Sequence, residues 1–399
     1  MTIDERLRQQ IQHAYDNAPA FRARMDSAQL TPTDIQSASD LEKLPVIPKD
    51  DVVQMQQDDP PFGGLLAVPL EELKHIYFSP GPLYEPDAAS DDEEDGAAIH
   101  AFREAGFGPG DIVLNTLSYH LVPAGVMMDR GLNAVGCTVI PGGVGNSDLQ
   151  LKMMRDLGVT GYAGTPSFLA ALIEKAEGMG LDFKRDFKVT KAFVSAEPLA
   201  ASLRQKLTDE YGIAVANGYG TAELGLLALD KAGNMQMTLM PEPIIEIVDS
   251  DTGKRVGPGE VGEVVVTTFN RAYPLIRFGT GDMAINIDPQ PGESKQEERA
   301  ITLVGRKGEA VKVRGMFVHP NQLRFIAGQL LQTGAVQGVV TRPENRDVLT
   351  VRVASDKSEL EEQFKGALQQ VIRVKVDAVE FVESLPEGAP GMVDERSWD

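Results

Sequence analysis

The chain of 399 residues contains a single cysteine, Cys137. That shortage excludes a disulfide framework and a Cys-rich zinc cluster. Its apolar setting, Gly131 to Ile140, reads as that of a small buried residue rather than a nucleophile. Basic charge is the second shortage: 38 Lys and Arg stand against 59 Asp and Glu, for a net charge of −21. A nucleic-acid partner is therefore not expected, because phosphate backbones need clustered cations to displace counterions. The same surface repels a free anionic substrate unless a local site offsets it. No apolar run is long enough to span a bilayer, and Met1–Gln12 reads as a charged helix rather than a signal peptide, so a cytoplasmic location without a membrane partner is the expectation. What is present is a 42% hydrophobic content that can bury a sizeable core. The length suggests two or three domains.

Along the chain, Asp4–Tyr15 and Asp34–Lys43 have helical spacing, Leu44–Lys49 is extended, and Pro60–Leu65 is a turn-rich connector before a strand at His75–Ser79. From Ala97 to Leu181 helices alternate with strands, including helix Ala97–Ala105, strand Ile112–Asn115, a helix near Ala124–Asn133, strand Thr138–Ile140 and helices Ser147–Leu157 and Ser167–Ala176. This α/β order predicts a mostly parallel sheet flanked by helices, with ligands at the carboxyl ends of its strands. A β-rich stretch follows, Ile244–Val248 and Gly259–Phe269. Val336–Ala354, Leu360–Val371 and Ala378–Val382 then read as strand, helix and strand of a small α+β lid.

The stretch Asn217-Gly218-Tyr219-Gly220-Thr221-Ala222-Glu223 offers a flat aromatic plate, a hydroxyl and a carboxylate in sequence, as a base, a phosphate and Mg²⁺ would need. Its plain alternative is a loop after Ile213–Ala216 in which the glycines serve turns and Glu223 is solvated. Asn115–Pro123 stands at a strand end and carries Tyr119 and His120. His120 either orients a substrate carboxylate or is a hydrogen-bonded wall residue. Gly142 and Gly143, in Pro141–Gly145, permit close packing or ligand approach. Asp91–Asp95 reads as a solvated face at a helix N-terminus.

Several segments carry a resemblance to a known family. Ala14–Phe21, Leu41–Asp50 and Phe62–Pro69, then Ser195-Ala196-Glu197-Pro198, Tyr219–Glu223, Tyr273–Asp282 and Gly305–Gly315 are similar to segments of phenylacetate–CoA ligases, members of the adenylate-forming superfamily. The resemblance runs from about Tyr15 to the C-terminus. It implies a large N-terminal domain, 1–304, and a small mobile C-terminal domain, 305–399. It also implies that Ser195–Pro198, Asn217 and Gly218 lie along the adenine and ribose. Tyr219 would stack on adenine, Thr221 bond the α-phosphate, Glu223 hold Mg²⁺, and Asp282 accept both ribose hydroxyls with Arg306 beside it. Tyr119, His120, Gly142 and Gly143 would shape the acyl pocket, and Lys312 with Gly315 the CoA tunnel.

Two segments depart from that pattern. Where the family has a Ser/Thr/Gly-rich phosphate loop ending near a lysine, this chain has Ser79-Pro80-Gly81-Pro82-Leu83-Tyr84-Glu85-Pro86, which loses three N–H donors and the cation and gains Glu85. Near the C-terminus Met392 stands where the family has its adenylating lysine. The implied function is an AMP-forming ligase of an aryl or arylacetic acid with ATP, Mg²⁺ and CoA, catalysed through Thr221, Glu223 and His120. The alternative is a non-adenylating homologue that binds AMP, acyl adenylate or acyl-CoA as a sensor, transferase or scaffold. A homodimer is the expectation on general frequency alone.

Overall fold

The computed structural model describes residues 2–79, 82–88, 96–314, 316–343, 347–386 and 388–396. The acidic run 91–95, Gly315 and part of the proline loop lie outside these. The chain forms two units: Met1–Ile245 with Val266–Phe278 and Glu293–Ile301, and Glu246–Val265 with Gly279–Gly292 and Thr302–Asp399.

The first unit opens with α1 (Ile3–Asn17), capped by Thr2, whose hydroxyl accepts from the Glu5 N–H while Glu5 returns to the Thr2 N–H. Leu7, Ile11 and Ala14 recur at helical spacing and pack with Phe21 and Met25 of α2 (Pro19–Ser27). Asp34–Lys43, expected as one helix, is instead a pair of short 3₁₀ turns, Pro32–Asp34 and Ala38–Lys43. Asp34 and Asp40 accept from the Thr31 and Ser37 N–H groups, and such local bonds compete with a longer helix. After β1 (Ile47–Pro48) and α3 (Lys49–Asp58) come β2 (His75–Ser79) and β3 (Leu83–Asp87), an antiparallel hairpin with Tyr77 opposite Glu85. The supposed loop Ser79–Pro86 is thus largely strand. Gln56 of α3 donates to the Tyr84 carbonyl and the Tyr273 hydroxyl and accepts from the Tyr84 N–H, all at 2.8 Å, which docks α3 on the hairpin.

The α/β core follows in the order α4 (Gly96–Glu104), β4 (Ile112–Asn115), α5 (Ala124–Ala134), β5 (Thr138–Pro141), α6 (Ser147–Asp156), β6 (Gly161–Gly164), α7 (Pro166–Gly178), α8 (Phe183–Asp186), β7 (Lys191–Val194), α9 (Ala201–Asp209) and β8 (Ala214–Thr221). Strands β5, β4, β6, β7 and β8 are parallel neighbours in that order. Their alternation divides the core. Leu114 and Tyr162 join α6, α7 and α9 on one face, while Val113 and Ala163 join α4 and α5 on the other. β9 (Gly225–Asp230) and β10 (Met237–Leu239) extend the sheet in antiparallel sense.

In the second unit β11 (Ile244–Val248), β12 (Val261–Thr267), β13 (Phe278–Ile287) and β14 (Ala300–Arg306) are neighbours in sequence order, apart from the few residues at their ends that belong to the first. A short hairpin, β15 (Val311–Val313) with β16 (Met316–Val318), leads to α10 (Pro320–Leu331), which the sequence reading missed. Val336–Ala354, expected as one strand, is β17 (Val336–Thr341) and β18 (Val348–Ala354). With α11 (Glu361–Ile372), β19 (Ala378–Val382) and β20 (Met392–Asp394) they complete a sheet of order β19-β18-β17-β20 backed by α10 and α11. Among the described residues no helix is long and apolar enough to cross a membrane.

Candidate active site

β7 and β8 run side by side and parallel, with Val194 opposite Asn217, so the two predicted nucleotide turns leave the sheet together. The buried Ser195 hydroxyl donates to the Gly218 carbonyl at 2.9 Å and ties one turn to the other. Ala196 adopts φ +71°, which turns the chain before Pro198. Glu197 accepts from the Ser167 N–H at 2.6 Å, within the first turn of α7. It is fixed by a free helix donor.

Tyr219, Gly220 and Thr221, for which a loop was the plain alternative, are the last residues of β8 and pair with β9 through a bulge between Tyr219 and Gly220. Gly220 is required there, since a Cβ would lie 2.4 Å from the Gly225 carbonyl oxygen. The three-residue turn Ala222–Leu224 then returns Glu223 to the interior, its side chain only 2% exposed. The solvated-loop alternative therefore fails for Glu223. Its carboxylate meets the Lys49 ammonium at 2.5 Å.

Sequence reading missed Lys49, although a signal was present. Lys49 is the first residue of α3, where the helix dipole favours an anion, so a lysine there runs against its local setting. Gln56, on the same helix, clamps α3 to the hairpin while Lys49 reaches Glu223. The hairpin alternates likewise: Ile76, Phe78 and Tyr84 face outward, while Tyr77, Ser79, Leu83 and Glu85 face inward. Glu85 is 7% exposed. Burial pushes its carboxyl up to about 7; the Ser79 hydroxyl opposes that rise, the Glu223 charge adds to it, and Lys49 opposes it more weakly.

Glu85 and Glu223 line a cavity of about 150 Å³ together with Tyr77, Met127, Phe269 and Tyr273. Two other wall carboxylates are paired, Asp87 with Arg130 at 2.9 Å and Glu242 with Arg6.

The expected acyl-pocket residues form a separate group. The Tyr119 hydroxyl donates to Asp129 at 3.1 Å and accepts from Asn115 at 2.8 Å. Burial and the Asp129 charge raise its pKa. The Gly143 N–H donates to the Asn115 carbonyl at 3.0 Å, and Gln150 donates to the Gly142 and Gly143 carbonyls. Gly142 packs so closely that a Cβ would sit 2.7 Å from Leu114. Tyr119, Gly142 and Gly143 thus come together through Asn115 and their own contacts. His120 is exposed, its N–H donating to the Ser118 hydroxyl.

In the second unit Asp282 pairs with Arg306 at 2.9 Å and donates its N–H to the Thr280 hydroxyl. Lys312 bridges Asp249 and Asp251, each at 2.7 Å. Met392 corrects the reading of the last departure. It lies in β20 opposite Gly338, 7% exposed, and packs in the core of α10, α11 and their sheet. Its side chain faces inward, so Met392 does not occupy the place of a solvent-reaching lysine.

As a magnesium ligand Glu223 fits, since it presents buried hard oxygen donors. Among the described residues no three His, Cys, Asp or Glu side chains gather as a metal cluster, so any ion here would keep several waters.

Residues 96–271 match the family of AMP-binding enzymes. The chain is 30% identical to a phenylacetate-coenzyme A ligase of Pseudomonas putida over 80% of its own length and 73% of that protein, and 26% identical to one of Thermus thermophilus over 92% and 83%. It superposes on an open conformation of 2-hydroxyisobutyryl-CoA ligase, solved with 2-HIB-AMP and CoA, with a TM-score of 0.84 at 23% identity, covering 98% of this chain and 91% of that one. The chain belongs to the phenylacetate–CoA ligase family and is an AMP-forming acid–CoA ligase.

Proposed function

We propose that this ligase activates an aryl or arylacetic acid to an acyl adenylate and passes the acyl group to the thiol of CoA. The observation that carries the reading is the paired exit of Ser195–Pro198 and Tyr219–Glu223 from β7 and β8, joined through Ser195 and Gly218. In this assignment Tyr219 stacks on adenine and Thr221 bonds the α-phosphate. Asp282 accepts the ribose hydroxyls with Arg306 as its neighbour, and Tyr119, His120, Gly142 and Gly143 shape the acyl pocket. Lys312 and Gly315 serve CoA, and residues 305–399 form the mobile part. Magnesium, when bound, neutralises phosphate charge, and Glu223 is the residue that holds it. Family membership favours the ligase over a sensor, transferase or scaffold that does not adenylate.

Lys49 enters the assignment as the cation nearest Glu223, in a chain whose hairpin has lost the expected lysine. An ammonium at a site where two anions must approach stabilises the charge that develops there. A cytoplasmic homodimer completes the proposal.

The test is pyrophosphate release from Mg-ATP with a panel of aromatic and aliphatic acids, with and without CoA. Release that depends on an aryl or arylacetic acid and turns over with CoA is expected. Release with aliphatic acids alone would overturn the substrate class, and no release with AMP binding retained would restore the non-adenylating reading.

A further inference from the structure

A buried polar atom without a hydrogen bond costs roughly 1–3 kcal/mol and calls for an explanation. Thirteen such side-chain atoms lack a well-formed hydrogen bond among the described residues, and seven belong to one small set: the Tyr77 hydroxyl, the Ser79 hydroxyl, both oxygens of Glu85, the Thr221 hydroxyl and both oxygens of Glu223, one of which still has the Lys49 ammonium 2.5 Å away. All seven are oxygens. The other six are nitrogens and oxygens of Arg6, Arg24, Gln150, Arg299, His319 and Asp347, which form no such set.

Topology explains how the five residues that carry these seven atoms come together. Tyr77 and Glu85 are opposite one another on the hairpin, and Ser79 shares their inward face. Glu85 and Glu223 line one cavity, and Tyr77 lines it with them. Thr221 lies two residues before Glu223 at the end of β8.

The charges do not balance. Asp87 and Glu242 on the same wall have arginine partners, and Lys49 pairs with Glu223. Among the described residues Glu85 has no ion-pair partner, so with both carboxylates ionised one negative charge faces the cavity uncompensated. Such a charge is costly in a buried place and is relieved by a cation. Carboxylate and hydroxyl oxygens are the donors that Mg²⁺ and Mn²⁺ prefer, and two carboxylates with retained waters are enough for either ion.

We propose that Glu85 and Glu223 together form a divalent-cation site that fills in the absence of nucleotide, with Glu85 as a ligand supplied by the β2–β3 hairpin. The proposal rests on the reading of Glu223 as the magnesium residue and adds Glu85 to it. Lys49 is then the competing charge: its ammonium occupies Glu223 when the ion is absent and gives way when the ion enters. The hairpin at Glu85 attracts a cation instead of supplying one.

The test is Mn²⁺ binding to the nucleotide-free full chain, followed by loss of the free-ion EPR signal, with Mg²⁺ as competitor. One Mn²⁺ per chain is expected, displaced by Mg²⁺. Glu85→Gln and Glu223→Gln should each weaken binding by at least about 10-fold, the lower end of what perturbing a metal's surroundings costs. Lys49→Met should tighten it, because a competing cation is removed. Circular dichroism and thermal melts establish that each variant is folded. If Glu223→Gln abolishes binding while Glu85→Gln leaves it within two-fold of the parent, Glu223 remains the metal residue and the role of Glu85 is overturned. If neither variant changes Mn²⁺ affinity, both assignments fall. Weaker binding by Lys49→Met would show that the lysine supports the site rather than competes for it, and would also overturn the proposal.

Discussion

The ends of β7 and β8 and the hairpin β2–β3 serve one enzyme class but have fared differently in this chain. At the strand ends the expected residue types are present, and the backbone is built around them: Ser195 bonds Gly218, and the bulge at Tyr219–Gly220 presents Thr221 and returns Glu223 inward. In the hairpin the expected cation is missing, and Glu85 is buried facing Glu223's cavity. Under the proposed assignment, the difference teaches that the two halves of a nucleotide site are separable. A base and ribose need shape and hydrogen bonds, which strand ends supply through backbone geometry. Phosphates need compensating charge, which can be rearranged among lysine, carboxylate and metal.

The largest expected effect lies in the second unit, at Met392. Met392→Lys should cost about 3–5 kcal/mol, because it places an unpaired ammonium among Leu323, Val340 and Phe364. Urea unfolding measures this, and a variant as stable as the parent would show that Met392 does not face the core. Next, Gly220→Ala tests whether the strand end is as rigid as the comparison requires. A Cβ 2.4 Å from a backbone oxygen must force the bulge open, costing about 1–3 kcal/mol in the same experiment and weakening AMP binding. Unchanged stability and affinity together would break the claim that backbone geometry defines this region.

Glu85→Gln probes the other side. Exchange of a buried, uncompensated carboxylate for a neutral amide of the same shape should stabilise the metal-free protein by about 1 kcal/mol at pH 8. A loss of stability would mean that Glu85 is paired after all. The smallest effect is a control in the second unit. His319 is fully buried at the start of α10, and burial holds its pKa below the ordinary 6.5 even though Glu309 pulls it up. The unfolded chain therefore takes up a proton that the native state refuses. The stability this contributes is complete above pH 6.5 and is lost as pH falls toward the folded value. Lowering the pH from 7.5 to 5.5 should destabilise the parent more than His319→Asn, which keeps an acceptor for the Asn321 N–H. Equal slopes in urea titrations at the two pH values would remove the assignment.

Much of the architecture was legible. Strands Ile112–Asn115, Ile244–Val248 and Ala378–Val382 stand where their apolar runs and flanking turns placed them. These segments are short, buried and bounded by turn residues, so local pattern decides them. Asp34–Lys43 misled because two aspartates accept from the backbone three residues earlier and stop the helix. A loop was an alternative for Tyr219–Thr221 because glycines are poor strand formers, yet pairing with β9 holds these residues extended. In the site, the motifs around Ser195 and Tyr219 were visible because their residues are adjacent in the chain. Lys49 was missed as a site residue because its partner is far away in sequence.

By itself the sequence determined the α/β class, the order of helices and strands, the strand ends that carry the nucleotide motifs, and the absence of the two usual lysines. The class and the order of elements follow from local spacing and residue type, the motif positions and missing lysines from the family resemblance. Only the tertiary structure decided that Met392 is core, that Lys49 pairs with Glu223, and that Glu85 turns inward to share a cavity with it. The physical reason is that a side chain's charge state and partner depend on which face is buried and on what the fold brings to that face, and neither is written in neighbouring residues.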